Sequence, residues 1–398
     1  MSPEDFGMVV LFLSVLVFAD SLIAMPNTQM LISFSSSRDP SAVKHFCFYK
    51  TVKKVKDNSK NIFSFALLVF AFLIIFGFSE YVYFTLFVII CSFFELLKSP
   101  YFAVLQVRRD TKAYAAFLFL DSIIQVIIIS ALLVLNPTPI YYILGISISR
   151  VTLLIIMSFS LRSNLVRYWN SNIPRFDNSE EEKKFTIPLV LMGPIGWCGS
   201  QLDRVAIGIQ LSPSATALFT APASIIGRAF SILSNFLTIV YRPMMVKSAN
   251  AGDVNTLSGI FILWVSIAAA AGFSASVVFA FFDDVIFRNL LAAPYVDLAK
   301  EIDTLLIAGF TALVIGHGVD NHIIARRKTG MLARIQTVYA LVGSAVLVSF
   351  IFWLGILGAV WAKVLNEAGR AVFIIVFDRT FRAYPKFPEL RDYAPSNS

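Results

Sequence analysis

Eleven long apolar stretches punctuate the sequence, at 6–25, 62–78, 81–97, 113–135, 140–159, 186–210, 215–240, 256–281, 304–321, 331–352 and 356–377. A helix crosses the hydrocarbon core of a bilayer with about 20 mostly apolar residues, so each stretch is read as one transmembrane span. A β-barrel would need strands of about 10 residues that alternate in polarity, and these runs are longer and apolar on all sides. In lipid every backbone polar group must be satisfied internally, which leaves helices. The expected fold is therefore all-α, a polytopic membrane protein of about 11 transmembrane helices. Composition agrees, with 57% hydrophobic and 15% charged residues among 398, against about 25% charged in soluble domains. A disordered chain is excluded because 38 Phe cannot stay hydrated. Glu4 and Asp5 stand where a signal peptide would carry basic residues, so the first span is not read as cleavable.

Lys and Arg set the expected orientation. With the tail from 378 on the cytoplasmic side, the segments 26–61, 98–112, 160–185, 241–255, 322–334 and the tail hold 26 of the 33 basic residues. The opposite segments hold two, Arg288 and Lys300. Such a bias reads as positive-inside. The net charge of +8 is thus mostly a topology signal, with added affinity for anionic lipid headgroups, and nucleic acid is not an expected partner. Cys47, Cys91 and Cys198 offer no disulfide or metal-ligand spacing, and no metal or cofactor is expected.

Two segments look alike at an offset of 210 residues: Ser2-Pro3 opens the first span and Ser212-Pro213 the seventh. Each precedes an apolar helix that is followed inside by a proline, Pro26 or Pro243. Six spans lie between 186 and 377, and five between 1 and 159. The polar segment 160–185 reads as a linker between an N-terminal lobe at 1–159 and a C-terminal lobe at 186–377, with a tail at 378–398. Two facing six-helix bundles are a common transporter plan. The first half then lacks the counterpart of 186–210, which would precede Met1.

Five bases fall inside spans: Arg150, Arg204, Arg228, Lys363 and Arg370. An ionised group at a helix centre costs about 2.5–3.5 kcal/mol on insertion scales, so each must face a cavity or a partner. Arg150 and Arg228 lie near mid-span, too deep to snorkel, and read as cavity residues. Asp203-Arg204 sits in the outer third of its span, with either a binding or a structural role. Adjacent helical residues point about 100° apart, so the two are not a neat internal pair. Lys363, Glu367 and Arg370 share one helix face, which either lines a cavity or locks neighbouring helices. Asp20 and Asp121 are candidates for ion coupling or for pairing with a base, as are Asp203 and Glu367. His317 reads as a helix-packing or polar contact, with titration near neutral pH as the alternative. Gly193-Pro194 and Gly196, with Gly199, mark either a bending gate or a tightly packed kinked helix.

The stretch Ile187-Pro188-Leu189 through Gly193-Pro194-Ile195-Gly196-Trp197, then Gln201-Leu202-Asp203-Arg204, resembles the seventh helix of bacterial oligosaccharide-lipid flippases, the Wzx-type polysaccharide export proteins. Pro3-Glu4-Asp5-Phe6-Gly7 is similar to the segment after that family's first helix, and Ala293-Pro294-Tyr295-Val296-Asp297 resembles the segment before its tenth. The family shares a superfamily with multidrug antiporters and the peptidoglycan-precursor flippase. Its members have twelve or more helices, so this chain is read as lacking the first, through truncation or a misplaced start.

The resemblance implies a multi-pass protein of the bacterial inner membrane with a cytoplasmic C-terminus. The implied activity is flipping of an undecaprenyl-pyrophosphate-linked oligosaccharide for O-antigen (lipopolysaccharide) or capsular assembly. The implied partners are the lipid-linked oligosaccharide, membrane lipids, a polysaccharide polymerase and a chain-length regulator. Arginine suits a pyrophosphate because its planar fork donates two hydrogen bonds, so the five intramembrane bases are expected to build a cationic cavity. A multidrug or small-solute antiporter of the same fold is the alternative, and would rely on buried carboxylates. An enzyme acting on lipid-linked sugars is not expected, because the longest outer segment, 282–303, is short, and direct ATP drive is not expected, because no nucleotide-binding loop occurs.

Overall fold

A computed structural model of the chain describes residues 1–35, 44–53, 55, 80–108, 110–160, 179–326 and 328–377. The helices are α1 (Pro3–Ser35), α2 (residues 44–53), α3 (Glu80–Val107), α4 (Thr111–Leu135), α5 (Pro139–Ser160), α6 (Ser179–Gln210), α7 (Pro213–Asn250), α8 (Val254–Leu290), α9 (Val296–Ala325) and α10 (Thr329–Phe377). No strand occurs among the described residues. Eight of the described helices are long and apolar enough to cross a membrane. The chain is an all-α, multi-pass membrane protein.

The spans begin where the local chemistry demands. Ser212 caps α7 by accepting the Ala215 N–H at 3.0 Å, with Pro213 at the first helical position. Ser2 does the same for α1, accepting the Asp5 N–H at 3.1 Å and donating to the Asp5 carboxylate at 2.8 Å. Proline at that position loses no hydrogen bond, and the serine satisfies an orphan N–H. The two Ser-Pro segments therefore share one local geometry. Asp110 and Asp253 cap α4 and α8 in the same manner.

Several elements differ from expectation. The span 62–78 lies outside the described residues, as do residues 161–178 of the linker 160–185 and the tail 378–398, whereas 179–185 of the linker belong to α6. The spans 331–352 and 356–377 are two helices as expected, the two halves of α10, and they meet at Gly355, whose backbone has φ 61° and ψ −137°. That left-handed backbone suits glycine, and it reverses the chain so that the two halves of α10 pack as a hairpin. Segments read as cytoplasmic loops are partly helix. With 38 residues, α7 is about 57 Å long, well beyond the hydrocarbon core of about 30 Å, and its C-terminal part carries Arg242 and Lys247. Residues 44–53 were read as loop but form α2, whose Phe46, Cys47 and Phe48 are buried against Tyr101, Val104 and Leu153.

The described chain divides into two compact units, Met1–Trp197 and Cys198–Ser398, with the division inside α6. In the first unit α1 packs along α3, and α4 along α5. The middle of α6 joins α1: a Cβ on Gly193 would lie 2.7 Å from the Ser21 carbonyl oxygen, and the Trp197 indole donates to Ser14 O at 2.6 Å.

The second unit is centred on α9, which packs against α7, α8 and α10. Small residues set the register. Gly227 of α7 meets Phe310, and Ser234 meets His317, so α7 and α9 run parallel. Gly272 of α8 meets Thr311, and Gly318 meets Trp264, so α8 runs antiparallel to α9. Close approach at small residues is how helices associate where lipid removes the hydrophobic drive. Trp264 is fully buried, and its indole donates to Val314 O at 2.9 Å. A Cβ on Gly318 would lie 2.7 Å from the Trp264 ring. Gly318→Ala is therefore expected to cost about 1–3 kcal/mol by overpacking. Gly330→Ala, where a Cβ meets nothing, is expected to leave thermal unfolding in detergent unchanged.

Candidate functional site

In the first unit α1, α3, α4 and α5 bring five charged groups together. Arg150 donates to the Asp20 carboxylate at 2.9 Å and to Cys91 O at 2.8 Å, and lies 3.6 Å from Glu95. Lys98 pairs with Glu95 at 2.9 Å and with Asp121 at 3.4 Å. The Lys98 side chain is only 3% exposed, although the sequence places it at the start of a loop. The helix α3 runs on to Val107 through Pro100 and carries Lys98 inward. The cluster holds three carboxylates against two bases. Burying ions this deeply is tolerable only with such mutual compensation, and here one negative charge remains.

In the second unit, Lys363 pairs with Asp203 at 3.1 Å, and its ammonium lies 5.1 Å from the Phe310 ring centre. Arg370 donates to Asp320 and to Glu367, each at 3.1 Å, and Gln336 donates to Asp320. The Arg370 guanidinium rests on bare α9 backbone, 2.6 Å from where a Gly316 Cβ would stand. The expected positive stripe of Lys363, Glu367 and Arg370 is thus neutralised by acids from other helices. The sequence reading passed over Asp320, which lies at the end of its span and joins the pairing only through tertiary packing.

Two of the five expected cations remain. Arg204 and Arg228 line a cavity of about 530 Å³ in the second unit, together with Gln201, Phe230, Ser234, Asn235, Phe310 and His317. The Arg204 guanidinium bonds the neutral Gln201 side chain at 2.8 Å, while the neighbouring Asp203 carboxylate turns toward Lys363. The exposed Arg228 has no hydrogen-bond or ion-pair partner among the described residues. No carboxylate lines the cavity among the described residues. Its volume falls in the usual ligand range of about 300–1,000 Å³. The wall can hold an anion through two guanidinium groups and hydroxyl groups through its Ser, Asn and His side chains.

The glycine-proline segment of α6 is split in character. Gly193 makes the close approach to Ser21, but a Cβ at Gly196 or Gly199 would meet nothing within 4 Å. Those two glycines are exposed and do not serve packing within their units. Pro194 lies within the uninterrupted α6. No group of three or more metal-ligating side chains occurs among the described residues.

The chain has the fold of the MOP-superfamily transporters. The resemblance is clear in an inward-facing multidrug resistance MATE family transporter of that superfamily, with a TM-score of 0.73 at 13% identity, covering 94% of this chain and 90% of the other. The inward closed lipid II flippase MurJ aligns with a TM-score of 0.67 at 13% identity, over 94% of this chain and 81% of its own. A MOP superfamily transporter from Pyrococcus furiosus, described by the reverse polarity of its binding pocket, aligns with a TM-score of 0.60 at 11% identity over 94% and 84%. No protein-family model matches the sequence, and no curated protein matches it.

Proposed function

We propose that this chain is a flippase of the Wzx type. It carries an undecaprenyl-pyrophosphate-linked oligosaccharide from the cytoplasmic to the periplasmic leaflet by alternating access, for O-antigen or capsular polysaccharide assembly. The observation that carries this reading is the cavity of the second unit, where Arg204 and Arg228 face a space of about 530 Å³ with no carboxylate on its wall. Guanidinium groups without acid partners attract phosphate, and bidentate contacts to its oxygens give orientation as well as energy. An organic cation would meet repulsion there. The positive-inside bias supports an inner-membrane location with the tail in the cytoplasm. The polymerase and chain-length regulator of the same assembly remain proposed partners.

The test is complementation in a strain that lacks its own flippase, expressing the chain alone and with any upstream extension of the reading frame. Restored surface polysaccharide is the expected result. Absence of export by both forms, with protein present in the membrane, contradicts the reading.

A second reading, a multidrug or small-solute antiporter, is favoured by one observation: the Asp20, Glu95 and Asp121 cluster exceeds its bases by one charge. It predicts drug efflux that is lost in Asp20→Asn or Asp121→Asn. The flippase reading predicts that cells expressing the chain keep the drug sensitivity of the empty strain.

A further inference from the structure

The cavity of the second unit changes chemistry along its length. Its two long walls, α7 and α9, run parallel with a constant offset: Gly227 faces Phe310, and Ser234 faces His317, 83 residues apart. Arg228 belongs to the first of these levels, while Ser234, Asn235 and His317 belong to the second. Six or seven residues separate Arg228 from Ser234 and Asn235, about 9–10 Å of helix rise.

The two levels differ in what they can bond. A guanidinium only donates, which matches phosphate oxygens that only accept. Hydroxyl, amide and imidazole groups both donate and accept, which matches sugar hydroxyls. The second level is also prepared. His317 Nδ1 and Ser234 Oγ are 2.6 Å apart and share a hydrogen bond, with Ser234 buried. That bond consumes one ring nitrogen and orients the imidazole, leaving Nε2 without a hydrogen-bond partner among the described residues. In either tautomer Nε2 complements a hydroxyl group, as donor or as acceptor. A second phosphate is disfavoured at this level. Asp320 follows His317 by one turn, and the Arg370 beyond it is already held by Asp320 and Glu367.

We propose that Ser231, Ser234, Asn235 and His317 form a neutral-sugar subsite. It holds a glycosyl unit of the ligand whose phosphate end is held by Arg228, with Arg204 on the same cavity wall nearer Thr216. The proposal rests on reading this cavity as the lipid-linked oligosaccharide site. Specificity then divides between two levels, charge at the first and hydroxyl pattern at the second.

The experiment uses the full chain in nanodiscs and two probes, farnesyl diphosphate and the same diphosphate bearing a neutral disaccharide. In the wild type the disaccharide is expected to raise affinity about tenfold, the amount one or two extra hydrogen bonds supply. Asn235→Ala, at an exposed position that folding tolerates, lowers that ratio. Asn235→Ala with His317→Phe brings it near unity. Affinity for the sugar-free probe stays near the wild-type value, which also reports an intact cavity. The subsite is overturned if the disaccharide adds nothing in the wild type, or if the double variant weakens both probes equally. Arg204→Gln with Arg228→Gln is expected to weaken both probes. Should it bind the sugar-free probe as tightly as the wild type, the phosphate assignment itself fails, and the subsite falls with its anchor.

Discussion

Arg228→Ala is expected to abolish polysaccharide export while the protein remains folded and at its normal level in the membrane. The residue is exposed on the cavity wall and holds no partner among the described residues, so its loss leaves no buried acid unpaired. Substitutions at such positions change stability by about 0.5 kcal/mol or less. A charge-assisted hydrogen bond to phosphate contributes about 1.5–3 kcal/mol, so ligand affinity should fall roughly 10- to 100-fold. Arg228→Lys should recover part of the loss, because the charge returns without the planar fork. Surface polysaccharide and membrane protein level, measured in the same cells, check this outcome. Full export by Arg228→Ala would remove the residue from the site.

Arg370→Ala is expected to act in the opposite way, through folding. The Arg370 side chain is 11% exposed, and its loss strands Asp320 and Glu367 together in the interior of the second unit. Breaking a buried pair while leaving its partner charged costs about 3–5 kcal/mol. The variant should lose its cooperative thermal unfolding in detergent and fall in membrane level. Replacing the whole set, with Arg370→Met, Asp320→Asn and Glu367→Gln, should restore most of the stability, since no charge is then left behind. An Arg370→Ala protein of normal stability that fails in transport would instead place this residue at a ligand.

The contrast between these two arginines marks the limit of the sequence. Both stand out as bases in apolar spans, and nothing in the linear order separates them. Arg370 has Glu367 on its own helix face, but its other partner, Asp320, comes from α9. Arg150 likewise meets Asp20 across 130 residues. Pairing is a tertiary property, so five candidate cations became two only when the helices were packed. Lys98 was hidden for another reason: hydropathy ends the span at residue 97, while α3 continues to Val107.

The helices themselves were legible, because apolar length is a property of each segment alone. The cavity's hydroxyl and amide groups were not. Ser234 and Asn235 interrupt an apolar helix no more than serines elsewhere that bond the preceding turn, as Ser276 does. The charge balance is also better resolved. The clusters and the cavity hold six acids and six bases, but the first unit carries the excess acid and the second the excess base.

The cavity of the second unit is proposed to carry the phosphate end of a lipid-linked oligosaccharide. The most direct measurement is translocation in proteoliposomes of a fluorescent lipid-diphosphate oligosaccharide, comparing the wild type with Arg204→Gln and Arg228→Gln combined. The wild type should move the probe across the bilayer, and the double variant, reconstituted to the same density, should not. Equal rates for the two proteins, or no translocation by the wild type, would contradict the claim.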